Sequence, residues 1–262
     1  MEWFLSLSPV IQGLLATLFT WGVTAAGAAP VFFFKSVNRR LLDAMMGFSA
    51  GVMIAASFWS LLAPAIELAG SLGDNAALIC ALGFAAGGLF VMASDVLLER
   101  LPATREADGT LRSSVLLVTA VTMHNIPEGM AVGVAFGSAA LGIEGATVTG
   151  AMLLALGIGL QNFPEGTCVA MPMRRAGASR LSSFLIGQAS GLVEPVFGVL
   201  GVLFAMATRT ALPAVLSFSA GAMISVVCSE LIPESFKDNK RLASVGVLAG
   251  FILMMILDVT LG

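Results

Sequence analysis

Eight stretches of this chain are long and apolar enough to cross a bilayer, which takes about 20 residues each. They lie near 10–34, 42–66, 76–98, 114–137, 146–171, 183–207, 211–232 and 242–261. Hydrocarbon offers peptide groups no outside partner, so each stretch is forced to close its own hydrogen bonds as a helix. Composition matters here for one reason. Only 11% of the residues are charged, against roughly 25% in a soluble domain, too few to cover a water-facing surface. The expected fold is therefore an all-α polytopic membrane protein, a single transmembrane domain over residues 1–262 with eight transmembrane helices. Cys80, Cys168 and Cys228 are scattered in apolar runs and offer neither a disulfide framework nor a CxxC clip.

Basic residues orient the spans. Lys35, Arg39 and Arg40 follow the first run; Arg100, Arg105 and Arg112 occupy the 99–113 loop after the third. Arg174, Arg175 and Arg180 follow the fifth; Lys237, Lys240 and Arg241 follow the seventh. Of the 13 basic residues only Arg209 falls on the other side. By the positive-inside rule these four loops are cytosolic and both termini are extracytoplasmic.

The chain repeats itself. HNIPEG at His124–Gly129 returns 37 residues later as QNFPEG at Gln161–Gly166, and FSAGVMI at Phe48–Ile54 returns as FSAGAMI at Phe218–Ile224. Both pairs nest around one centre, and the members of each pair cross the membrane in opposite senses. The layout expected is a 3+2+3 inverted repeat, with a ligand site near the midplane.

The central pair carries the chemistry. Residues i and i+4 share a helix face, so His124, the only histidine, stacks with Glu128 and has Asn125 on the adjoining edge. Gln161, Asn162 and Glu165 repeat the pattern. Pro127 and Pro164 each remove a backbone donor, and helices broken in this way are expected to line a cavity. Glu194, also followed by a proline, adds a third carboxylate. An isolated carboxylate at mid-membrane costs at least ~2.5–3.5 kcal/mol, and three together repel. A divalent cation answers both problems, since nitrogen and oxygen donors suit Zn²⁺ and its neighbours.

On these residues the chain resembles the ZIP (Zrt/Irt-like) divalent metal transporters, and is most similar to their bacterial-type branch. HNxPEG and QNxPEG on successive helices, with a glutamate in the next, carry the likeness. The resemblance implies zinc uptake across a bacterial inner (plasma) membrane, with Cd²⁺, Fe²⁺ or Mn²⁺ as secondary substrates, and a homodimer. It also implies two adjoining metal sites: His124, Glu128, Gln161 and Glu165 in one; Asn125, Asn162 and Glu194 in the other, with Glu128 and Glu165 bridging. An elevator-like motion of helices 1, 4, 5 and 6 against helices 2, 3, 7 and 8 is implied as well. Gln161 stands where many relatives have His, and Asn162 where some have Asp, which weakens the second site. The partners expected are the metal and the lipid bilayer, without nucleic acid and without a cofactor beyond the transported ion.

Other polar residues sketch a route. Glu67 and Asp258 lie toward the outer ends of their helices, and Asp43, Asp95, Glu230 and Glu234 toward the cytosolic ends. Ser57 and Ser60, about one turn apart, are candidates for the wall of the path, although helical serines also bond back to their own backbone. Two other classes share some of these features. A metal-selective channel would use most of the same ligands. An intramembrane metalloenzyme needs two or more strong ligands and an unliganded base, usually as H-E-x-x-H, and here there is one His in H-N-x-x-E.

Overall fold

The computed structural model describes residues 2–34, 38–100, 109–143, 146–175 and 177–261, and at 95, 98–100, 109–117, 120, 124 and 261 the backbone alone. Every element among the described residues is helical and none is a strand. The rods are α1 (Pro9–Phe32), α2 (Arg39–Ser71), α3 (Ala76–Arg100), α4 (Gly109–Ala140), α5 (Val148–Arg175), α6 (Arg180–Ala207), α7 (Arg209–Ser235) and α8 (Lys240–Leu261). Among the described residues six of the eight spans expected from sequence, α1, α2, α3, α6, α7 and α8, are long and apolar enough to cross a membrane. The other two long helices, α4 and α5, carry the polar motifs. Residues at the helix starts explain where the rods begin. Ser8, Asn38 and Ser179 each accept a hydrogen bond from a first-turn amide, which satisfies a donor that has no partner within the helix.

Irregular turns fall at unexpected places. The helices run on through Pro127 and Pro164 without a break, contrary to the sequence expectation. Pro164 leaves the Leu160 carbonyl without its helical donor, and in the same turn Ser49 Oγ on α2 donates to the next carbonyl, that of Gln161, at 3.1 Å. The breaks come elsewhere. α2 and α7 each contain a wide π-helical turn, Ser57–Leu62 and Val227–Leu231. These start 170 residues apart, the same offset as the FSAG echo, so the repeat is in the backbone as well as in the letters. α6 is two half-helices, Arg180–Ser190 and Val193–Ala207, separated at Gly191 and Leu192.

The rods sort into two bundles. α1 packs on α5, and α4 on the second half of α6, with α1 also meeting α4 and α6; α2 packs on α8, and α3 on α7, with α2 and α7 in contact. The bundles meet chiefly where α5 crosses α2 and where α4 crosses α7. α1 and α5 approach backbone to backbone. A Cβ on Gly27 would enter the Phe163 backbone, and one on Gly166 the Thr24 backbone.

Polarity is inside out. Leu78, Leu82, Leu89 and Leu97 on α3, and Val245, Leu248, Ile252 and Val259 on α8, are exposed, whereas Gln12, Thr17, Thr20, Asn125, Gln161, Asn162, Glu128 and Glu194 are buried. Apolar patches of this extent would drive aggregation in water and suit lipid. The packing therefore gathers polar side chains where α1, α4, α5 and α6 meet.

Candidate metal centre

Four helices bring their polar groups to one place. Asn125 and Glu128 of α4, Gln161 and Asn162 of α5 and Glu194 of α6 are each at most 1% exposed, and Glu165 is 3% exposed. Gln161 Nε2 donates to Glu128 Oε1 at 2.5 Å and faces Asn162 Oδ1 at 3.4 Å. Asn162 Nδ2 donates to Glu194 Oε1 at 2.9 Å and to the Thr20 carbonyl at 3.1 Å. Thr20 Oγ1 in turn donates to Glu194 Oε2. Two motif carboxylates, from α4 and α6, are thus joined through the two amides of α5 and a threonine of α1.

The α6 break is part of this arrangement. Asn125 Nδ2 donates at 2.8 Å to the Ser190 carbonyl, which ends the first half-helix and has lost its helical donor. Glu194 lies in the first turn of the second half, at the positive end of its dipole, a place worth 0.3–1 kcal/mol to an anion as a rule of thumb. Gly191 leaves room for it. A Cβ there would stand 2.9 Å from Thr24 Oγ1 and 3.1 Å from Glu194 Oε1.

The amides turn their nitrogens to the protein and leave oxygen over. Asn125 Oδ1 and Gln161 Oε1 are buried and accept no hydrogen bond among the described residues. A buried acceptor without a donor costs about 1–3 kcal/mol, and a native fold that retains two of them in one cluster calls for an explanation. A cation supplies one, because amide oxygen is a hard donor. Among the described residues no three His, Cys, Asp or Glu side chains are gathered closely enough to hold an ion. The imidazole of His124 lies outside the described residues; its backbone is helical, one turn before Glu128.

A cavity of about 230 Å³ reaches the cluster from one end. Pro164, Glu165 and Cys168 of α5 line it, together with Ser229, Glu230, Glu234 and Lys237. At that end Arg39 pairs with Asp43 at 3.1 Å, Glu234 at 2.7 Å and Asp238 at 2.8 Å, and Lys237 also pairs with Glu234. A second cavity, about 120 Å³, is lined by Trp59, Ser60, Ser138, Thr147 and Asp258, and there Ser60 Oγ donates to Asp258 Oδ1 at 2.8 Å. Ser60 and Glu230 occupy corresponding positions of the two π-turns, 170 residues apart, so the repeat gives each cavity one polar wall.

Of the sequence candidates, Asn125, Glu128, Gln161, Asn162 and Glu194 come together, and Glu165 faces the first cavity. Glu230 and Glu234 share that cavity, and Ser60 and Asp258 share the other. Asp43 is fully buried against Arg39, and Glu67 is exposed. Ser57 donates back to the Met53 carbonyl at 2.7 Å. The side chain of Asp95 lies outside the described residues. Sequence reasoning missed Thr20, Ser190, Ser49 and Gly191. Only Gly191 left a trace, in the G-x-x-E-P string that reads as a helix stop followed by a start.

A family model described as ZIP zinc transporter matches residues 103–258. The chain belongs to the ZIP family. It is 39% identical to the zinc transporter ZIP11 of Homo sapiens over 97% of this chain and 98% of that protein. It is 37% identical to the zinc transporter GufA of Myxococcus xanthus over 95% and 99%, and 34% identical to the zinc transporter ZupT of Chlorobium phaeovibrioides over 95% and 97%. ZIP membership sets the intramembrane metalloenzyme aside: this is a transporter family, not an enzyme family. The twin motifs that suggested ZIP from sequence are the segments on which the buried cluster is built.

Proposed function

We propose that this ZIP chain carries divalent transition-metal cations, zinc foremost, into the cytoplasm across a bacterial inner membrane. Eight spans in a 3+2+3 inverted repeat, with both termini extracytoplasmic, satisfy the hydropathy pattern and the loop charges together. The ligands proposed are His124, Glu128, Gln161 and Glu165 for one ion and Asn125, Asn162 and Glu194 for a neighbouring one, with Glu128 and Glu165 between them. One observation carries the reading. A wholly buried network from four helices holds carboxylates together with two amide oxygens that lack a donor. Three ionised glutamates bring −3; one divalent ion leaves −1, and two leave +1. Without an ion the cluster repels itself, and with one it is nearly neutral. The donors are oxygen and nitrogen with no thiolate, which lets a carrier release its ion more readily than a structural cysteine site does.

The two bundles support an alternating-access motion. Every proposed ligand belongs to α4, α5 or α6, and these pack with α1, so α1, α4, α5 and α6 can shift as a body against α2, α3, α7 and α8. Glu230 and Glu234 are proposed to line the cytosolic exit, and Ser60 and Asp258 the opposite mouth. The chain is proposed to act as a homodimer. Cd²⁺, Fe²⁺ and Mn²⁺ are proposed as secondary substrates because the same donors suit them.

The experiment is ⁶⁵Zn²⁺ uptake into proteoliposomes by the wild type, Glu128→Ala and Glu165→Ala, with the other three metals as competitors. The wild type is expected to show saturable uptake and both variants the level of protein-free vesicles. Undiminished uptake by both variants would remove these residues from the site.

A further inference from the structure

Thr20 touches the proposed ligand set twice without belonging to either sequence motif. It is fully buried on α1. Its hydroxyl meets Glu194 Oε2, and its backbone carbonyl accepts from Asn162 Nδ2 at 3.1 Å. The same amide nitrogen gives its second proton to Glu194 Oε1 at 2.9 Å. Both amide protons are then committed, and Asn162 Oδ1 is left turned toward Gln161, 3.4 Å from its Nε2.

The neighbouring threonines show what Thr20 would do by default. A helical threonine normally returns its hydroxyl to a carbonyl three or four residues back. Thr17 bonds the Gly13 carbonyl at 2.8 Å, and Thr24 bonds the Thr20 carbonyl at 3.3 Å. Thr20 has the same option in the Thr17 carbonyl at 3.0 Å, yet its oxygen also sits against Glu194. One proton cannot serve both acceptors fully, and a charged acceptor makes roughly twice as strong a bond as a neutral one. The carboxylate therefore has first claim on the hydroxyl.

We infer that Thr20 is a positioning residue for the cation site: its hydroxyl holds the Glu194 carboxylate, and its carbonyl sets which end of the Asn162 amide faces the ion. Thr20 itself is not a ligand. This inference rests on the metal reading of Glu194 and adds α1 to the helices that shape the site. It also explains why α1 belongs to the bundle that carries the ligands, since a helix that holds Glu194 and Asn162 has to travel with them.

The test is equilibrium binding of ⁶⁵Zn²⁺ to the detergent-purified full chain, comparing the wild type, Thr20→Val, Thr20→Ser, Glu194→Gln and the double variant Thr20→Val/Glu194→Gln. Thr20→Val keeps the shape and loses the hydroxyl, and should weaken binding at least about tenfold, as loss of a ligand-orienting partner does. Thr20→Ser restores the hydroxyl and should bind as the wild type does. The double variant should bind no more weakly than Glu194→Gln, because Thr20 acts through that carboxylate. A purely packing role would instead give effects that multiply in the double variant, and that result overturns the inference. Wild-type affinity in Thr20→Val alongside weakened binding in Glu194→Gln overturns it too. Wild-type affinity in Glu194→Gln would remove Glu194 from the site, a failure of the ligand assignment that takes the role of Thr20 with it. Should Thr20→Val not purify folded, Thr20→Ala deletes the same hydroxyl and is judged by the same comparisons.

Discussion

Gln161 Nε2 and Glu128 Oε1 stand 2.5 Å apart, both side chains fully buried, and tie α5 to α4 at the centre of the proposed site. The amide is a neutral donor standing where an imidazole would offer a stronger ligand nitrogen. Gln161→His is therefore expected to tighten zinc binding by about tenfold, or 1.4 kcal/mol, and to slow turnover at saturating zinc because release becomes harder. Equilibrium ⁶⁵Zn²⁺ binding beside flux in proteoliposomes separates the two effects. Tighter binding with faster turnover would contradict a release-limited carrier.

Asn125 has a structural duty apart from any ion, because its amide caps the Ser190 carbonyl at 2.8 Å where α6 breaks. Asn125→Ala leaves that buried carbonyl without its donor and is expected to cost about 1–3 kcal/mol of stability in metal-free protein. The midpoint of thermal unfolding in detergent, with chelator present, reads this directly. An unchanged midpoint would mean that the Ser190 carbonyl finds another donor.

Arg39 answers for a buried charge. Asp43 is fully buried and pairs with it at 3.1 Å, while Arg39 is itself about one-third exposed (31%). Removing one partner of a wholly buried pair costs about 3–5 kcal/mol; exposure at Arg39 lowers the expectation for Arg39→Ala to about 1–3 kcal/mol. Arg39→Ala/Asp43→Asn should recover much of that loss, since the carboxylates of Glu234 and Asp238 that remain are partly exposed and none is left fully buried without its cation. Denaturant titration of both variants decides it, and a double variant less stable than Arg39→Ala would show that Asp43 needs no cation.

Two glycines of similar appearance should behave oppositely. A Cβ on Gly166 would run into the α1 backbone at Thr24, whereas Gly70, near the end of α2, has no neighbouring atom within 4 Å. Gly166→Ala is expected to destabilise by about 1–3 kcal/mol through overpacking. Gly70→Ala should be neutral or stabilise by up to about 1 kcal/mol through helix propensity. Thermal melts of both variants test the α1–α5 contact.

The sequence expectations succeeded where a single property governs. Apolar length foretold a chain of helices, and among the described residues every element is helical, with six helices long and apolar enough to cross a membrane. The FSAG echo foretold a repeat, and the paired π-turns express it. The failures share a physical cause. Whether a helix breaks at a proline is decided by the packing around it, and the Ser49 hydroxyl that ties the Pro164 turn of α5 to α2 comes from more than a hundred positions away. The α6 break at Gly191 left only the G-x-x-E-P string as a trace, and it is sustained by Asn125 from another helix. Thr20 could not be singled out within an ordinary apolar run, because only the folded chain brings it to Glu194. The route residues divided for the same reason: the partners of Ser60 and Asp43 were not legible, although their polarity was.

The central claim is that one divalent ion sits among His124, Glu128, Gln161 and Glu165. An anomalous difference map at the zinc edge, from crystals grown with zinc, tests it most directly. The expected result is a peak within about 2.0–2.2 Å of the ligand oxygens, inside the cluster and touching both Glu128 and Glu165. Zinc found only at Glu230 and Glu234 or only beside Asp258, with the cluster empty at saturating metal, would contradict the account.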